Sequence, residues 1–331
     1  MKINNNILVT GSAGFIGYHL VYKLICQNKN VIGIDNLNNY YDVKLKKNRL
    51  NNLKKISKEK KNNFFFYKID ILNKKKLLYI VKKHKISKII HLAAQAGVRY
   101  SFENPQSYAD TNLICFFNIL EACRINKIQN LIYASSSSVY GETSDLPFKE
   151  NKMFNKPLQF YAATKICNEV MAYSYSKLYK IKTVGLRFFT VYGPYGRPDM
   201  AYFSFTKNIL ENKKIKVFNS GNHLRDLTYI DDIIRGIILI MSSKRNKLYQ
   251  ILNIGNGKPI TLMKMIQNIE INLNKKAKII FLNKQKGDMD KTFASLYSIK
   301  KNYSFKPKIN AKAGIKNFVT WFLDYYNKWA F

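Results

Sequence analysis

The chain is poor in cysteine, histidine and acidic residues. Its four cysteines have no CxxC spacing, which argues against a disulfide framework or a zinc site and favours buried, reduced thiols. The four histidines are scattered, so we expect no bound metal. No apolar run approaches the ~20 residues of a membrane span, and no charged segment followed by an apolar one indicates a signal peptide. We therefore expect a cytoplasmic protein with no membrane partner.

Acidic residues are few relative to basic ones. Only 20 Asp and Glu accompany 56 Lys and Arg, which gives a formal net charge of +36. Such an excess is found in proteins that bind nucleic acid or an anionic surface. However, Lys, Asn, Ile, Tyr and Phe are all abundant and all have AT-rich codons, and the lysines are spread along the chain. We attribute the charge to codon usage and expect no nucleic-acid partner, although the field would attract an anionic ligand.

A glycine-rich loop follows the first apolar run. Residues 7–9 predict a buried strand, residues 10–17 (TGSAGFIG) carry three glycines, and a helical pattern follows. The glycines allow a tight turn and a close approach of the backbone to a pyrophosphate at the helix N-terminus. A second apolar strand, residues 31–35, ends at Asp35. A carboxylate there binds a ribose 2′-hydroxyl and repels a 2′-phosphate, so we predict NAD rather than NADP.

The first half of the chain alternates apolar strands with helical stretches. This pattern predicts an α/β fold with a Rossmann-type, doubly wound parallel sheet. In such sheets ligands bind beyond the carboxyl ends of the strands. The predicted cofactor-binding residues lie at or near those ends, and they are Gly11, Gly14, Phe15, Ile16, Gly17, Asp35, Asn36, Asp70, Ile71, Leu92, Ala93, Ala94, Gln95, Asn112 and Phe189.

Tyr161 and Lys165 form a YxxxK motif. Residues four apart project from the same face of a helix. A phenol with its ordinary pKa near ~10 is a poor base, but an adjacent ammonium favours the phenolate, which can then take a proton from a hydroxyl group. A run of serines at 135–138 lies about one βα unit upstream. Alone, the motif fits an ordinary surface helix; downstream of a dinucleotide loop it indicates a catalytic pair.

The alternation loosens after Pro194. A turn-rich segment, residues 195–199, leads to a second region of short helices and strands, while patterns near 231–241 and 250–254 predict a helix and a strand that return to the main sheet. We predict an NAD-binding Rossmann domain of residues 1–192 and 226–256. Residues 193–225 and 257–331 would form a smaller, C-terminal α/β lobe that binds the substrate.

Several motifs together resemble one enzyme family. TGSAGFIG, the Asp35 strand end, HLAA at His91, SSSSVYG at Ser135, YAATK at Tyr161 and RDLTYIDD at Arg225 resemble the extended short-chain dehydrogenase/reductase family, the NAD-dependent epimerases and dehydratases of nucleotide sugars. The resemblance covers essentially the whole chain. IDNLNNYYDVKLK, AAQAGVRYSFENPQSY and FFTVYGPYGRPDMA resemble the bacterial UDP-glucuronate 4-epimerases more specifically, because relatives that act on neutral sugars usually carry Asn where this chain has Thr190.

The resemblance implies an activity. It implies C4 epimerisation of UDP-glucuronate to UDP-galacturonate, with NAD as cofactor and a transient 4-keto intermediate, for capsule or other surface polysaccharide synthesis. Ser136, Tyr161 and Lys165 would be catalytic, with the last two also contacting NAD. The 4-keto intermediate is a β-keto acid that can lose CO₂, so the site must hold its carboxylate. The implied substrate-binding residues are Ser136, Ser137, Ser138, Thr190, Arg197, Arg225 (diphosphate) and Asp288 (nucleoside).

The resemblance also implies an assembly and leaves alternatives open. Family members usually dimerise through a four-helix bundle, for which helices near 105–124 and 161–179 are the candidates, so we expect a homodimer. A UDP-glucose or UDP-N-acetylglucosamine 4-epimerase is the main alternative. Dehydratases and decarboxylases of the family place acidic residues where this chain has Ser137 and Ser138. A non-catalytic, RNA-binding Rossmann protein would fit the charge but would not need the Ser136, Tyr161 and Lys165 set.

Overall fold

Strands and helices alternate along the chain from the first residues onward. A computed structural model describes residues 6–141, 143, 145–151, 156–244, 247–285 and 287–329. The elements up to residue 188 are β1 (Asn6–Thr10), α1 (Phe15–Cys26), β2 (Val31–Asp35), α2 (Val43–Glu59), β3 (Phe64–Lys68), α3 (Lys74–Lys83), β4 (Ile86–His91), α4 (Tyr100–Glu103), α5 (Pro105–Tyr108), a π-helical segment (Ala109–Ile114), α6 (Cys115–Ile125), β5 (Asn130–Ser136), a 3₁₀ turn (Ser137–Tyr140), α7 (Phe160–Tyr179) and β6 (Lys182–Phe188).

The second half contains shorter strands among longer helices. Its elements are β7 (Thr190–Tyr192), α8 (Ala201–Leu210), β8 (Lys214–Phe218), a 3₁₀ turn (Asn219–Gly221), β9 (Leu224–Arg225), β10 (Leu227–Tyr229), α9 (Ile230–Ser242), β11 (Tyr249–Ile254), β12 (Ile260–Thr261), α10 (Leu262–Leu273), β13 (Lys278–Leu282), α11 (Tyr297–Tyr303) and α12 (Ala311–Trp329). None of the helices among these described residues is long and apolar enough to cross a membrane.

Seven strands form one parallel sheet in the order β11-β6-β5-β4-β1-β2-β3. The chain therefore winds outward from β1 in both directions, and the strand order reverses between β1 and β4. Ligands bind at such a reversal point, outside the carboxyl ends of the strands. The predicted Rossmann-type α/β fold is confirmed.

Helices cover both faces of the sheet. The central strands carry apolar side chains on both sides, as a doubly covered parallel sheet requires. Leu8 points into the core beneath α3 and α6, whereas Ile7 and Val9 point into the core shared with α1 and α9. Short polar residues begin several of the helices: Asp42 accepts a hydrogen bond from the backbone N–H of Lys44 in α2, and Asn73 caps α3 in the same way.

Three small two-stranded sheets lie outside the main one, and they pair β7 with β10, β9 with β12 and β8 with β13. α8 packs against β8 and α10, and α10 packs against α12; these helices bury an aromatic cluster that includes Phe203, Phe318 and Phe322. The predicted division into a Rossmann domain and a substrate-binding lobe stays a prediction, and the ends of its ranges at residues 1–5 and 330–331 lie outside the described residues.

Candidate active site

A cavity of about 390 Å³ opens at the carboxyl ends of the main-sheet strands. Of the predicted site residues, all but Asn112, Arg225 and Asp288 line it. Parallel strands bring residues that are far apart in sequence to the same edge, so side chains after β1, β2, β3, β4, β5 and β6 meet around one space. Its size is typical of a small-molecule site.

The glycine loop between β1 and α1 forms one wall of this cavity. Gly11 has a φ of +68°, and a β-carbon on it would lie 2.8 Å from the backbone nitrogen of Ala93. A β-carbon on Gly17 would overlap the Gly11 carbonyl oxygen. The loop is therefore possible only with glycine at both positions. It leaves the first N–H groups of α1 free of side-chain caps, so the residues present fit a dinucleotide pyrophosphate.

Asp35, Asn36 and Asp70 line the cavity beside the glycine loop. The Asp35 carboxylate accepts hydrogen bonds from the backbone N–H of Ala13 at 3.0 Å and of Leu37 at 2.8 Å, so it fixes the glycine loop as well as facing the cavity. The Asn36 amide donates to Asp70 at 2.9 Å. These polar groups lie where the predicted adenosine half of NAD would bind.

Thr10 and Asn112 hold the loop that follows β4. The Thr10 hydroxyl oxygen accepts hydrogen bonds from the backbone N–H groups of Leu92 and Ala93, and the group also bonds the buried His91 ring at 2.8 Å. Asn112 exchanges two hydrogen bonds with the backbone of Gln95, at 2.9 and 3.0 Å. Asn112 thus lies behind the cavity wall, where it positions Gln95, and its predicted contact with the cofactor stays a prediction.

Tyr161, Lys165 and Ser136 meet inside the cavity, as the motif predicts. Burial raises the pKa of the Tyr161 phenol, while a hydrogen bond with Ser136 and the charge of Arg197 lower it. Lys165 donates to the carbonyl of Ala134 at 3.0 Å. The sequence predicted that Lys165 lowers the pKa of the phenol. In the structure, Ser136 and Arg197 are the groups that oppose the effect of burial on this pKa.

A buried ion pair lies directly behind Lys165. Glu169, one helical turn further along α7, accepts hydrogen bonds from Ser135 at 2.6 Å and from Arg187 at 2.9 and 2.7 Å. Burial lowers the pKa of Lys165 to about 8, and the Glu169 carboxylate opposes that change. Glu169 therefore fixes α7 against β5 and β6 and favours the ammonium form of Lys165.

Arg197, on the loop that follows β7, also lines the cavity. Its Nε donates to Asp199 at 3.0 Å, and a terminal nitrogen donates to the other oxygen of the same carboxylate. Burial opposes ionisation of Asp199, but Arg197 outweighs it and holds the pKa of that carboxyl below its ordinary value. The Tyr40 hydroxyl also donates to Asp199, at 3.2 Å. The sequence predicted Arg197 in the site but not its internal carboxylate partner.

Arg225 and Asp288 lie together in the second half of the chain, outside the cavity lining. Arg225 donates to the carbonyl of Asp290 at 3.0 Å, and Asp288 forms an ion pair with Arg99 at 3.4 Å. Arg99 follows Gly97 and Val98, which do line the cavity, so this polar cluster adjoins it. The roles of Arg225 and Asp288 as diphosphate and nucleoside ligands stay predictions.

Sequence reasoning missed several cavity residues, of which Tyr40 and Lys46 are the most notable. Lys46 donates to the backbone and side-chain oxygens of Asn38 at 2.7 and 2.6 Å. Burial lowers the pKa of Lys46 to about 8, and Asp35 opposes the change. The segment IDNLNNYYDVKLK contains both residues and contributed to the family resemblance, but no spacing within it indicated which side chains face a ligand.

Comparisons with known proteins agree with this geometry. The family model described as "NAD dependent epimerase/dehydratase family" matches residues 7–255. The chain belongs to this family. It is 46% identical to Protein CapI of Staphylococcus aureus over 97% of this chain and 99% of that one. It is 45% identical to a UDP-glucuronate 4-epimerase of Thermodesulfobacterium geofontis, with 95% of each chain covered.

A solved structure of the family superposes on nearly all of the chain. It is the UDP-glucuronic acid 4-epimerase of Bacillus cereus in complex with UDP-glucuronic acid and NAD, with a TM-score of 0.90 and 34% identity over 97% of this chain and 100% of that one. The predicted family and the prediction of NAD as cofactor are confirmed.

The Glu169 contacts generate a prediction about pH. Glu169→Gln preserves the shape of the side chain but removes the charge that favours the Lys165 ammonium. We expect the alkaline limb of the kcat profile to move to lower pH by about one unit, equivalent to ~1.4 kcal/mol. We also expect a stability loss of roughly 3–5 kcal/mol, because Arg187 loses its charged partner. Both are measured on one preparation, by pH–rate profiles and urea unfolding.

Glu270→Gln is the matched control. Glu270 is likewise a helical glutamate with a basic partner, Lys276, and it accepts a hydrogen bond from the backbone N–H of Ala277 at 2.8 Å, but it does not line the cavity. Its replacement should leave the pH profile unchanged. An unshifted alkaline limb in Glu169→Gln would show that Glu169 does not affect the pKa of Lys165.

Proposed function

We propose that this chain is an NAD-dependent UDP-glucuronate 4-epimerase, which interconverts UDP-glucuronate and UDP-galacturonate. The observation that carries the proposal is the placement of a guanidinium, Arg197, in the same cavity as the acid–base residue Tyr161. Three hydroxyl side chains also line that cavity, those of Ser137, Ser138 and Thr190. A neutral sugar has no use for a cation beside its reacting carbon C4, whereas a hexuronate carries a carboxylate on the adjacent carbon, C5.

The cavity residues fit the proton transfers of epimerisation. Tyr161, as phenolate, takes the proton of the C4 hydroxyl, and Ser136 holds the same oxygen. The glycine loop and Asp35 would hold NAD, which would supply the hydride acceptor for C4 and then the hydride donor to the opposite face of the 4-keto sugar. Tyr161 then returns its proton to the C4 oxygen, so the residues end in their starting states. Lys165, as ammonium, would orient the cofactor ribose from the face of α7 that it shares with Tyr161.

The site must also protect the 4-keto intermediate. A carboxylate β to a ketone is lost as CO₂ when its C–C bond aligns with the carbonyl π system. Asp199 occupies the edge of Arg197 formed by Nε and one terminal nitrogen. The edge formed by the two terminal nitrogens is the one we assign to the sugar carboxylate, in a bidentate pair. Thr190 and the serine hydroxyls would complete its hydrogen bonds and fix its rotation.

We propose that the enzyme's product is used in the synthesis of cell-surface polysaccharide and that the enzyme is a homodimer. UDP-activated hexuronates are donors for glycosyl transfer, which supports a role in the synthesis of such polymers.

For the assembly, α6 packs against α7, and apolar side chains along this helical layer are exposed: Ile114, Phe117, Ile125, Val170, Tyr173 and Leu178. Two such helix pairs would bury these side chains in a four-helix bundle.

A substrate panel tests the proposed function. The protein is incubated with UDP-glucuronate, UDP-glucose or UDP-N-acetylglucosamine, and the products are resolved by NMR. We expect UDP-galacturonate from the first and much slower turnover of the other two. A preference for UDP-glucose would replace this proposal with a neutral-sugar epimerase. A 4-keto-pentose as main product would indicate a decarboxylase.

Arg197→Ala tests how the site selects the carboxylate. We expect KM for UDP-glucuronate to rise by an amount equivalent to roughly 2–5 kcal/mol, the usual effect of removing one partner of a buried charge pair. KM for UDP-glucose should change little. Arg235→Ala is the control, because Arg235 pairs with Asp232 away from the cavity. An equal rise in KM for both substrates in Arg197→Ala would refute the assignment of Arg197 to the sugar carboxylate.

A charge placed on α7 tests the dimer. Val170 is 55% exposed in the isolated chain, so Val170→Glu should leave the fold intact and produce a monomer in light scattering. Tyr79→Glu on α3, where the side chain is 61% exposed, should leave the dimer unchanged. A parent protein that is monomeric at micromolar concentration would contradict the bundle.

A further inference from the structure

Arg49 is a buried cation with no role in the chemistry above. It lies on α2, and its side chain is fully buried. Within the described part of the chain no carboxylate forms an ion pair with it, and its Nε has no hydrogen-bond partner. Burying a charge without a counter-charge is costly. Such a group is retained where something else compensates for it.

The Arg49 guanidinium joins two loops of the active site. One terminal nitrogen donates to the carbonyl of Ala13, in the glycine loop, at 2.9 Å. The other donates to the carbonyls of Tyr195 and Gly196, at 2.6 and 3.3 Å. Gly196 immediately precedes Arg197, so one rigid, planar group spans from the nucleotide-binding loop to the loop that carries the sugar-facing cation.

The second of these loops, residues 193–199, adopts a conformation that needs support. Tyr195 has a φ of +55°, a left-handed conformation that is unfavourable for a bulky residue. Three side chains from the Rossmann half hold the turn: Arg49 as above, His19 on the Pro194 carbonyl at 2.8 Å, and Asn52 on the Tyr195 hydroxyl at 2.8 Å. Arg49 alone of the three also contacts the glycine loop.

We propose that Arg49 is a positioning residue that couples nucleotide binding to the placement of Arg197. The diphosphate of a dinucleotide on the glycine loop would bring the negative charge that the buried guanidinium lacks. The same guanidinium, held by that loop, sets the turn at Tyr195 and Gly196 and hence the position of Arg197. This inference rests on the proposed function only for the identity of the sugar carboxylate.

Arg49→Met and Arg49→Lys separate the effect of Arg49 on nucleotide binding from its effect on the position of Arg197. Met removes the charge and the bridge, whereas Lys keeps the charge but cannot donate to both loops with a fixed fork. We expect Arg49→Met to bind NAD at least ~10-fold more weakly by calorimetry and to retain less NAD through purification, with a raised KM for UDP-glucuronate at saturating NAD. Arg49→Lys should keep most of the NAD affinity but still show the raised KM.

A double-mutant cycle shows whether Arg49 acts through Arg197. If it does, adding Arg49→Met to Arg197→Ala should raise KM for UDP-glucuronate little further. If the two residues acted independently, the fold-increases in KM of the two single variants would multiply. Asn52→Ala, which loosens only the second loop, should leave NAD affinity unchanged. Arg235→Met removes another arginine that donates to a backbone carbonyl, that of Lys306, and should change neither quantity.

Each result supports or overturns the proposal. Parent-like NAD affinity in Arg49→Met, or a full multiplication of the two KM effects, would overturn it. If Arg49→Met does not fold, Arg49→Lys decides: unchanged KM overturns the proposal, and raised KM with retained NAD affinity supports it. If the parent does not turn over UDP-glucuronate, the proposed function fails, but the NAD affinity of Arg49→Met still tests Arg49, because an unchanged affinity overturns this proposal whatever the sugar is.

Discussion

The geometry of the site depends on how α7 is fixed against the end of β5. Three consecutive residues of β5 each contact a different residue of one face of α7. The Ala134 carbonyl accepts from Lys165, Ser135 donates to Glu169, and Ser136 faces Tyr161. Because the helical residues are four apart and the strand residues are adjacent, a shift of either element would break all three contacts at once. Arg187 on β6 completes this arrangement through Glu169.

Several of the few carboxylates of this basic chain make buried or loop-fixing contacts of this kind. Asp35 accepts from the glycine loop, and Asp226 accepts from the backbone N–H groups of Asn256, Gly257 and Ala294. Glu169 and Asp199 pair with buried or cavity-lining arginines. With 20 acidic residues against 56 basic ones, there are too few carboxylates to pair with most of the basic side chains. These four acids lie where a backbone N–H or a buried or cavity-lining guanidinium would otherwise lack an acceptor.

Much of this site could be predicted from sequence because its contacts are local or follow from the fold. The glycine loop, the strand-end Asp35 and the Tyr161–Lys165 spacing are short patterns, and parallel strand order brings them to one edge. Arg49 and Asp199 could not be assigned, because their partners depend on how a loop after β7 folds back onto α2. The effect of Arg197 on the pKa of Tyr161 was missed for the same reason, since the two residues lie 36 positions apart in the sequence.

The central claim is that one tyrosine and one bound NAD oxidise and then reduce the same sugar carbon. The most direct measurement uses UDP-glucuronate deuterated at C4, with the product examined by NMR. We predict UDP-galacturonate that retains its deuterium at C4, formed without net reduction of NAD, because the hydride never leaves the cavity. Loss of the deuterium to solvent, or stoichiometric accumulation of NADH, would contradict the account.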